Sequence, residues 1–416
     1  MHETDTWKKK YPFSQLSTDC TVFWLKKADN IPLHFWEQQK NVFQGREWFT
    51  ALETLSYDGF EVGLLVLVKN GQIVAYTMVQ FVFVPFSQLQ PHIPSWVAAI
   101  LVRIPYFTSL WKGQRSVAAA VVGDLLITAA KPETNHMELI LAGLAWLRKE
   151  NFKAKTTLFH ICKDIQTNDQ ETHQLFVRGG FHQCFSDPEM ILELNKKWMT
   201  GDHYVQDLHK KYRQRYRSAR KKGIALRVRE ITRDEIIARK DELQMLLNNV
   251  IERRDFILIK ENIEFYLQCY DQLGENFHFR IYELDEKIVG FATAIQQENT
   301  LIAHRVGIDY ERNNSHKLYQ NILYDYIEQA IQGDYQKLSL GRTATEIKSA
   351  VGAKPQYLHI FVRHPMWLLN LFLKFALRSV SKPQWIWRNA LQSTVITNPS
   401  TEESESHTKS NLRGCI

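Results

Sequence analysis

The sequence predicts a mixed α/β protein made of two successive units with a similar layout. In each half, two β-rich segments flank a turn, at Asn70-Gly71 in the first half and at residues 285–287 in the second. After each hairpin, segments with helical and strand periodicity alternate along the chain. Such an alternation after a hairpin favours mixed sheets flanked by helices over an all-β or a doubly wound fold. The repetition of this order predicts a weak internal duplication.

The length and composition agree with two globular domains. The chain has 416 residues, of which 44% are hydrophobic and 23% are charged, as in ordinary globular proteins. Its five cysteines have no CxxC spacing, which favours free thiols in a reducing compartment over a disulfide framework or a metal site. The sequence shows no signal-peptide core and no run of about 20 uncharged apolar residues. We therefore expect a cytoplasmic protein without a metal.

The first unit is predicted to span residues 1–197. Alternating apolar positions predict its strands, and apolar residues at helical spacing predict its helices. The predicted elements are a strand at 20–25, a helix at 42–55, the hairpin strands 61–69 and 72–84, an apolar segment at 117–127, a helix at 138–150, a strand at 156–162, a helix at 169–177 and a closing strand at 190–194.

The second unit is predicted to span residues 198–380. An apolar segment at 366–377 is too short to cross a bilayer, so we expect it to pack on the domain or to lie on a membrane surface. Residues 397–416 are rich in Ser, Thr and Glu and predict a disordered tail. The other predicted elements are a charged helical region at 230–254, the hairpin strands 277–284 and 288–296, a strand at 301–307, a loop at 309–315, a helix at 318–331, a strand at 337–340, a short helix ending near Gly352 and a strand at 357–363.

The most specific motif is Gly341-Arg342-Thr343, followed by Lys348 and, four residues later, Gly352. Together with the order of elements, this motif resembles the GNAT-type N-acyltransferase superfamily, in the branch related to the Fem-type peptidoglycan aminoacyltransferases. The resemblance implies tandem GNAT-like units, each a twisted mixed sheet flanked by helices. The pair Gly180-Phe181 is similar to the family in the first half. No equivalent of Arg342 and Lys348 stands there, so we expect a degenerate unit that provides packing and one side of a groove.

The resemblance implies acyl-CoA, most simply acetyl-CoA, as the acyl donor. In the family, the loop before the helix offers N–H groups to the pyrophosphate. Here that loop lacks the usual glycines, and an ordinary helix start with Ser315 as N-cap is an equal alternative. The predicted donor-binding residues are Arg312, Asn313, Ser315 and Lys317 in this loop and Arg342 and Thr343 at the strand end.

The predicted catalytic residues are Lys348, His304 and Tyr319. The resemblance implies that Lys348 lies beside the reacting carbonyl, where an ammonium stabilises an oxyanion or holds a phosphate; a solvated helix lysine is the alternative. His304 lies on the presumed central strand and could deprotonate an amine, although a satisfied core histidine is more common. Asp309 and Glu346 are further candidate bases.

Most of the basicity lies in one stretch. Residues 208–229 hold ten Lys or Arg and no acid, so the rest of the chain carries 7 − 10 = −3 charges. This local concentration does not favour DNA binding by the whole protein. It predicts a basic helix that binds phosphates of the donor or acceptor, with a solvated helix as the alternative. The candidate residues are Tyr212, Arg213, Tyr216, Arg217 and Arg220.

These observations predict an N-acyltransferase that uses acyl-CoA and a small-molecule or peptide amine. A Fem-like transferase that uses aminoacyl-tRNA and acts in cell-envelope biosynthesis is an alternative, for which the basic helix is suggestive. A non-catalytic protein that binds acyl-CoA or a nucleotide is the alternative from another class, because the sequence identifies no single base.

Overall fold

The computed structural model describes residues 13–15, 20–31, 33–36, 41–55, 60–70, 72–85, 116–123, 157–165, 170–184, 187–253, 261–364, 366–378 and 385–392, together with a few isolated positions. The predicted tail at 397–416 lies outside the described residues, and so does nearly all of the predicted helix at 138–150.

Alternating apolar residues in the first half form the strands of a mixed sheet. The predicted hairpin is confirmed: Lys69 pairs with Gln72, and Asn70 has a φ of +51°, as a tight turn between twisted strands requires. The strands are β1 Phe13–Gln15, β2 Cys20–Leu25, β3 Phe60–Lys69, β4 Gln72–Pro85, β5 Ser116–Gly123, β6 Thr157–Ile165 and β7 His182–Cys184, and the helices are α1 Leu33–Trp36, α2 Arg46–Glu53 and α3 Gln170–Arg178.

The second half builds a second mixed sheet with helices around it. The predicted hairpin is confirmed as β10 and β11, and the predicted amphipathic helix as α10. In chain order the elements are β8 Glu189–Glu193, α4 Gly201–Asp207, α5 Lys210–Lys222, β9 Arg227–Glu230, α6 Arg233–Ala238, α7 Lys240–Ile251, α8 Ile263–Leu273, β10 Phe277–Leu284, β11 Lys287–Gln297, β12 Thr300–Ile308, α9 Tyr310–His316, α10 Leu318–Gln332, β13 Lys337–Ser339, α11 Thr345–Ser349, β14 Lys354–Gln356, β15 His359–Arg363 and α12 Trp367–Arg378.

The two sheets exchange one strand each. The first sheet has the order β1-β2-β3-β4-β5-β6-β15-β7, and the second has the order β14-β8-β13-β12-β11-β10-β9. The predictions that strand 190–194 closes the first unit and that strand 357–363 belongs to the second are therefore wrong. Burial explains the exchange: Met190 and Leu192 of β8 enter the second core, whereas Phe361 of β15 stacks on Phe176 of α3 at 4.2 Å.

The two units share a hydrophobic core. Buried residues of the first unit, such as Phe49 and Leu64, belong to the same cluster as Leu246 and Tyr266 of the second unit. Helix α2 packs on α8 at this junction. This burial favours a fixed association of the two units, because apolar area removed from water stabilises the folded state.

Strands β12 and β13 separate soon after they begin. They pair in parallel at only three positions, from Thr300–Lys337 to Ile302–Ser339. On its other side, β12 has a bulge against β11: Thr293 pairs with Arg305 and Ala294 with Ala303, so His304 is the extra residue. A bulge bends a strand and redirects its side chains. The sheet therefore opens beside His304.

The segment after β12 is helical. The prediction of a loop at 309–315 is wrong, because the Asp309 side chain accepts a hydrogen bond from the Glu311 N–H and thereby caps α9. Lys317 then adopts the left-handed conformation at a φ of +51° and separates α9 from α10. The alternative in which Ser315 caps the long helix is therefore also wrong.

Helix α12 leaves much of its apolar surface exposed. Trp367 is 77% exposed, and Leu371, Phe372 and Phe375 are each more than two-fifths exposed. The helix contacts β7 of the first sheet with its other side, so one of the two expectations for the segment 366–377, packing on the domain, is confirmed for that side. In the part of the chain that the structure describes, no helix is both long and apolar enough to span a bilayer.

Candidate active site

A cavity of about 1130 Å³ lies where β12 and β13 separate, between the first and the second unit. Its second-unit side includes His304, Arg305, Tyr319, Lys348 and the backbone turn that follows β13. Its first-unit side includes Asn41, Gln44, Trp48, Tyr76, Thr77, Lys163 and Asp164. Both units thus contribute to a single open cavity, which suits a two-substrate reaction.

His304 is neutral at physiological pH in this cavity. Burial lowers its pKa to about 4, and the neighbouring positive charge of Arg305 acts in the same direction, whereas Glu261 opposes it. The Trp48 ring meets the imidazole edge to face at 5.8 Å, and Nδ1 has no hydrogen-bond partner among the described residues. A neutral imidazole with an unengaged nitrogen can accept a proton.

Glu261 and Arg305 form an ion pair next to His304. Arg305 Nε donates to Glu261 Oε2 at 2.6 Å, and the Tyr266 hydroxyl donates to the same carboxylate. Burial alone would raise the pKa of Glu261, but the charge and the hydrogen bond of Arg305, together with His304 and the hydrogen bond from Tyr266, lower this pKa to about 2. The carboxylate therefore stays ionised and holds the Arg305 guanidinium beside the bulge.

Lys348 is a buried residue of the cavity lining. It lies in α11 and its side chain is only 4% exposed. Its Nζ is 3.9 Å from the position that a Cβ on Gly341 would take, and Gly341 has a φ of +72°. A residue with a side chain would be strained at this φ. Glycine therefore permits the turn that places the backbone close to the Lys348 ammonium.

Arg342 forms an ion pair with Asp164 of the first unit. The predicted turn from the strand end into the short helix is confirmed, because β13 ends at Ser339 and α11 begins at Thr345. The ion pair joins this turn to the first unit. A guanidinium carries five N–H donors in a planar fork, a geometry that suits a carboxylate or a phosphate. Thr343 lies next to it in the lining of the same cavity.

The predicted donor loop contributes only partly to the cavity. Asn313 lines it and accepts a hydrogen bond from the Tyr319 N–H through its side chain. Tyr319 is also in the lining, and burial raises the pKa of its hydroxyl to about 12, with Tyr310 acting in the same direction. Arg312 and Ser315 are exposed on α9, and Lys317 follows that helix; these three residues are not in the lining.

The five candidates on the basic helix α5 lie outside this cavity. Arg220 contacts Asp325 and Glu328 of α10 at 2.5 and 2.7 Å. The Tyr216 hydroxyl donates to the same Glu328. Tyr212 is buried, Arg213 donates to backbone carbonyls, and Arg217 is exposed. Structural contacts therefore occupy four of these side chains.

Residues 210–349 match the family model described as the acetyltransferase (GNAT) domain. The predicted resemblance to the GNAT superfamily is thus confirmed for this region of the chain. Strands β12 and β13 lie inside the matched region. The motif with Arg342 and Lys348 falls at the end of the matched residues.

Several solved structures are similar over most of the chain. The crystal structure of FemX is 12% identical with a TM-score of 0.49, over 82% of this chain and 97% of that chain. A tandem GNAT protein from the clavulanic acid biosynthesis pathway is 9% identical with a TM-score of 0.47, over 82% and 98%. A GCN5-related N-acetyltransferase from Sphaerobacter thermophilus is 8% identical with a TM-score of 0.41, over 72% and 80%. No curated protein matches the sequence.

The sequence analysis expected the first unit to provide one side of a groove, but it identified none of the first-unit residues that line the cavity. Trp48 was part of an amphipathic helix pattern, and only the packing of α2 on α8 brings it to His304. Asp164 lies in β6 and pairs with its sequence neighbour Lys163 at 2.7 Å, which by itself does not indicate a site. Arg253, which lies 3.5 Å above the centre of the Tyr310 ring in the cavity lining, was also missed. In each case the signal depends on contacts that are distant in sequence.

Proposed function

We propose that this protein is an N-acyltransferase that moves an acyl group, most simply acetyl, from acyl-CoA to an amine. In this proposal the unit at 198–380 holds the donor, and the unit at 1–197 provides the acceptor side of the cavity. The observation that carries it is the neutral His304 with its unengaged Nδ1, at a strand bulge where the sheet of a GNAT domain opens.

The shape of the opening supports a thioester donor in part. An acyl-CoA thioester would supply the activated carbonyl, and the separated edges of β12 and β13 leave backbone groups for its pantetheine arm. The phosphate end fits less well, because α9 replaces the expected loop and the N–H groups of Glu311 and Tyr319 already donate to side chains. Phosphates would therefore be held by side chains, with Arg312 and Lys317 as the candidates.

His304 would act after the new bond has begun to form. The amine nitrogen forms the C–N bond, the C–S bond breaks, and the proton lost by nitrogen goes to the imidazole. A ring with a pKa of about 4 is a weak base, so it suits the strongly acidic N–H of the developing tetrahedral species better than a free ammonium. We therefore expect the acceptor amine to bind in its neutral form.

Lys348 and Tyr319 would support the reacting groups. The buried ammonium next to Gly341 can stabilise negative charge on the carbonyl oxygen or on a phosphate. The raised pKa of Tyr319 keeps its hydroxyl protonated at neutral pH, so it can donate a proton to the leaving thiolate.

A Fem-like transfer from aminoacyl-tRNA is the second candidate. The observation in its favour is that Lys210, Lys211, Arg215, Arg217 and Lys221 of α5 remain exposed. Such a surface attracts nucleic acid without reading its sequence. It lies outside the lining of the cavity, so the tRNA backbone and the reacting ester would have to bind at separate places.

The test is release of the CoA thiol from acetyl-CoA in the presence of a panel of small-molecule and peptide amines. We expect turnover with the wild-type protein, a large loss in kcat for His304→Gln, and no loss for His203→Gln, which changes an exposed histidine on α4. Turnover only with aminoacyl-tRNA would favour the second candidate. Binding of CoA without turnover of any amine would instead favour a non-catalytic binding protein.

A further inference from the structure

Helix α12 presents a continuous apolar stripe to solvent, away from the catalytic cavity. Its exposed large side chains are Trp367, Leu368, Leu371, Phe372 and Phe375. At about 100° per residue these positions fall within an arc of roughly 140° on one side of the helix. We call these five side chains the α12 stripe. Isolated exposed apolar residues are ordinary, but a contiguous patch indicates a contact surface.

The helix is attached to the first unit through its other side. Asn370 donates to the Gly180 carbonyl at 2.8 Å and accepts from the His364 N–H at 2.9 Å. The His182 ring also meets the Asn370 carbonyl at 3.0 Å. None of these contacts uses the α12 stripe. The domain therefore holds the helix in place while the stripe faces outwards.

The segment that contains the stripe carries charges of one sign along the sequence. Residues 363–382 contain four Lys or Arg and no Asp or Glu. Lys374 is exposed at the border of the stripe. Trp367 lies at the start of the helix. Apolar residues with Trp and with flanking cations are typical of helices that lie in the interface of an anionic bilayer.

We propose that the α12 stripe docks the protein on the surface of a membrane that contains anionic lipids. The helix has 12 residues and is therefore about 18 Å long, shorter than the hydrocarbon core of about 30 Å. It lies in the plane of the interface, with the stripe in the acyl boundary and Lys374 at the headgroups. A second copy of the chain fits this surface less well, because pairing two stripes brings cations of the same sign together.

Membrane docking is independent of the proposed acyl transfer, because no residue of the stripe lines the cavity. Docking can be measured as the partition of the protein between water and lipid vesicles. Removing two aromatic side chains from the stripe should weaken partition by at least about tenfold for each residue. Reversing the charge of Lys374 should weaken binding to anionic vesicles only.

The experiment is flotation of the full chain with vesicles of phosphatidylglycerol and phosphatidylcholine, and with vesicles of phosphatidylcholine alone. The test variant is Phe372→Ser with Phe375→Ser. The matched control is Met199→Ser with Ile224→Ser, which changes two exposed apolar residues elsewhere. Thermal unfolding of both variants establishes that each is folded. Lys374→Glu is the second variant, because it leaves the apolar stripe intact.

We expect the wild type and the control to float with anionic vesicles and the test variant to remain in solution. Lys374→Glu should lose the preference for phosphatidylglycerol. Equal flotation of the wild type and the test variant would overturn the proposal. Self-association of the wild type in sedimentation velocity, abolished in the test variant and without flotation, would assign the stripe to a second copy and would also overturn it.

Discussion

The buried His304 predicts an acid sensitivity of the fold that one substitution can remove. Its pKa falls from 6.5 to about 4, first because of burial and then because of Arg305. Between these values the unfolded chain binds a proton that the folded protein does not. The contribution of His304 to the free energy of unfolding is therefore present above about pH 6.5 and is lost as the pH falls towards 4.

The magnitude follows from the two pKa values. Across the whole window the difference of 2.5 units corresponds to at most about 3 kcal/mol. Between pH 7 and pH 5 this residue alone should cost about 2 kcal/mol of unfolding free energy. Glu261 has a pKa of about 2, so its own loss of stability comes at a lower pH and does not enter this comparison.

The assay is urea unfolding at pH 7 and at pH 5 for the wild type, His304→Gln and the control His203→Gln. Glutamine keeps a polar group in the cavity without titrating, so the difference between the two pH values should shrink by about 2 kcal/mol. His203→Gln should keep the wild-type difference. If His304→Gln shows the same pH dependence as the wild type, the imidazole is not held neutral, and its proposed role as the proton acceptor fails with it.

Three further substitutions test the site and the basic helix. Lys348→Met should lower kcat/KM for acyl transfer by about 10²–10³ with little change in unfolding temperature. The control Lys337→Met, at an exposed strand end, should keep the wild-type kcat/KM. Equal activities of the two variants would exclude the oxyanion role. Arg220→Gln should lower the unfolding free energy by about 2–3 kcal/mol, and Arg217→Gln by less than about 0.5 kcal/mol. If the two variants are equally stable, Arg220 is not structural, and the predicted role in ligand binding would be favoured. Trp48→Ala should raise KM for the amine more than for the donor, because this ring lies on the first-unit side of the cavity, and kinetics with each substrate varied in turn distinguishes the two.

Features encoded by neighbouring residues were predicted well from the sequence. Both hairpins and helix α10 follow from apolar periodicity and turn residues, and the structure has them within a few residues of the predicted bounds. The segment after β12 was misinterpreted because its Asp, Asn and Ser residues are typical of a loop, although Asp309 acts there as a helix cap.

Features that depend on contacts between distant residues were predicted poorly. The basic helix suggested an anionic ligand, but Asp325 and Glu328, a hundred residues later, neutralise Arg220. Within the cavity, Arg342, Thr343 and Lys348 were found because a short motif marks them. Their first-unit neighbours Trp48 and Asp164 were not found, because only the docking of the two units brings them there.

The exchange of strands also bears on where the two units divide. The predicted limit between residues 197 and 198 leaves β8 with the first unit, yet β8 pairs with both β13 and β14 in the second sheet. Without β8, the edge of β13 is unpaired and the sites that Met190 and Leu192 fill in the second core are empty. Loss of two such core side chains costs several kcal/mol, roughly 2–5 for each, which is comparable to the whole stability of a small domain.

A fragment of residues 198–380 should therefore fail to fold, whereas a fragment of residues 186–380 should retain more native structure. Both fragments lack the first sheet and lose the same contacts to it, so β8 is the main difference between them. Far-UV circular dichroism and the cooperativity of urea unfolding would compare the two. If the fragment that starts at residue 198 unfolds as cooperatively as the longer one, β8 is dispensable for the second sheet, and the predicted limit stands despite the exchanged strand.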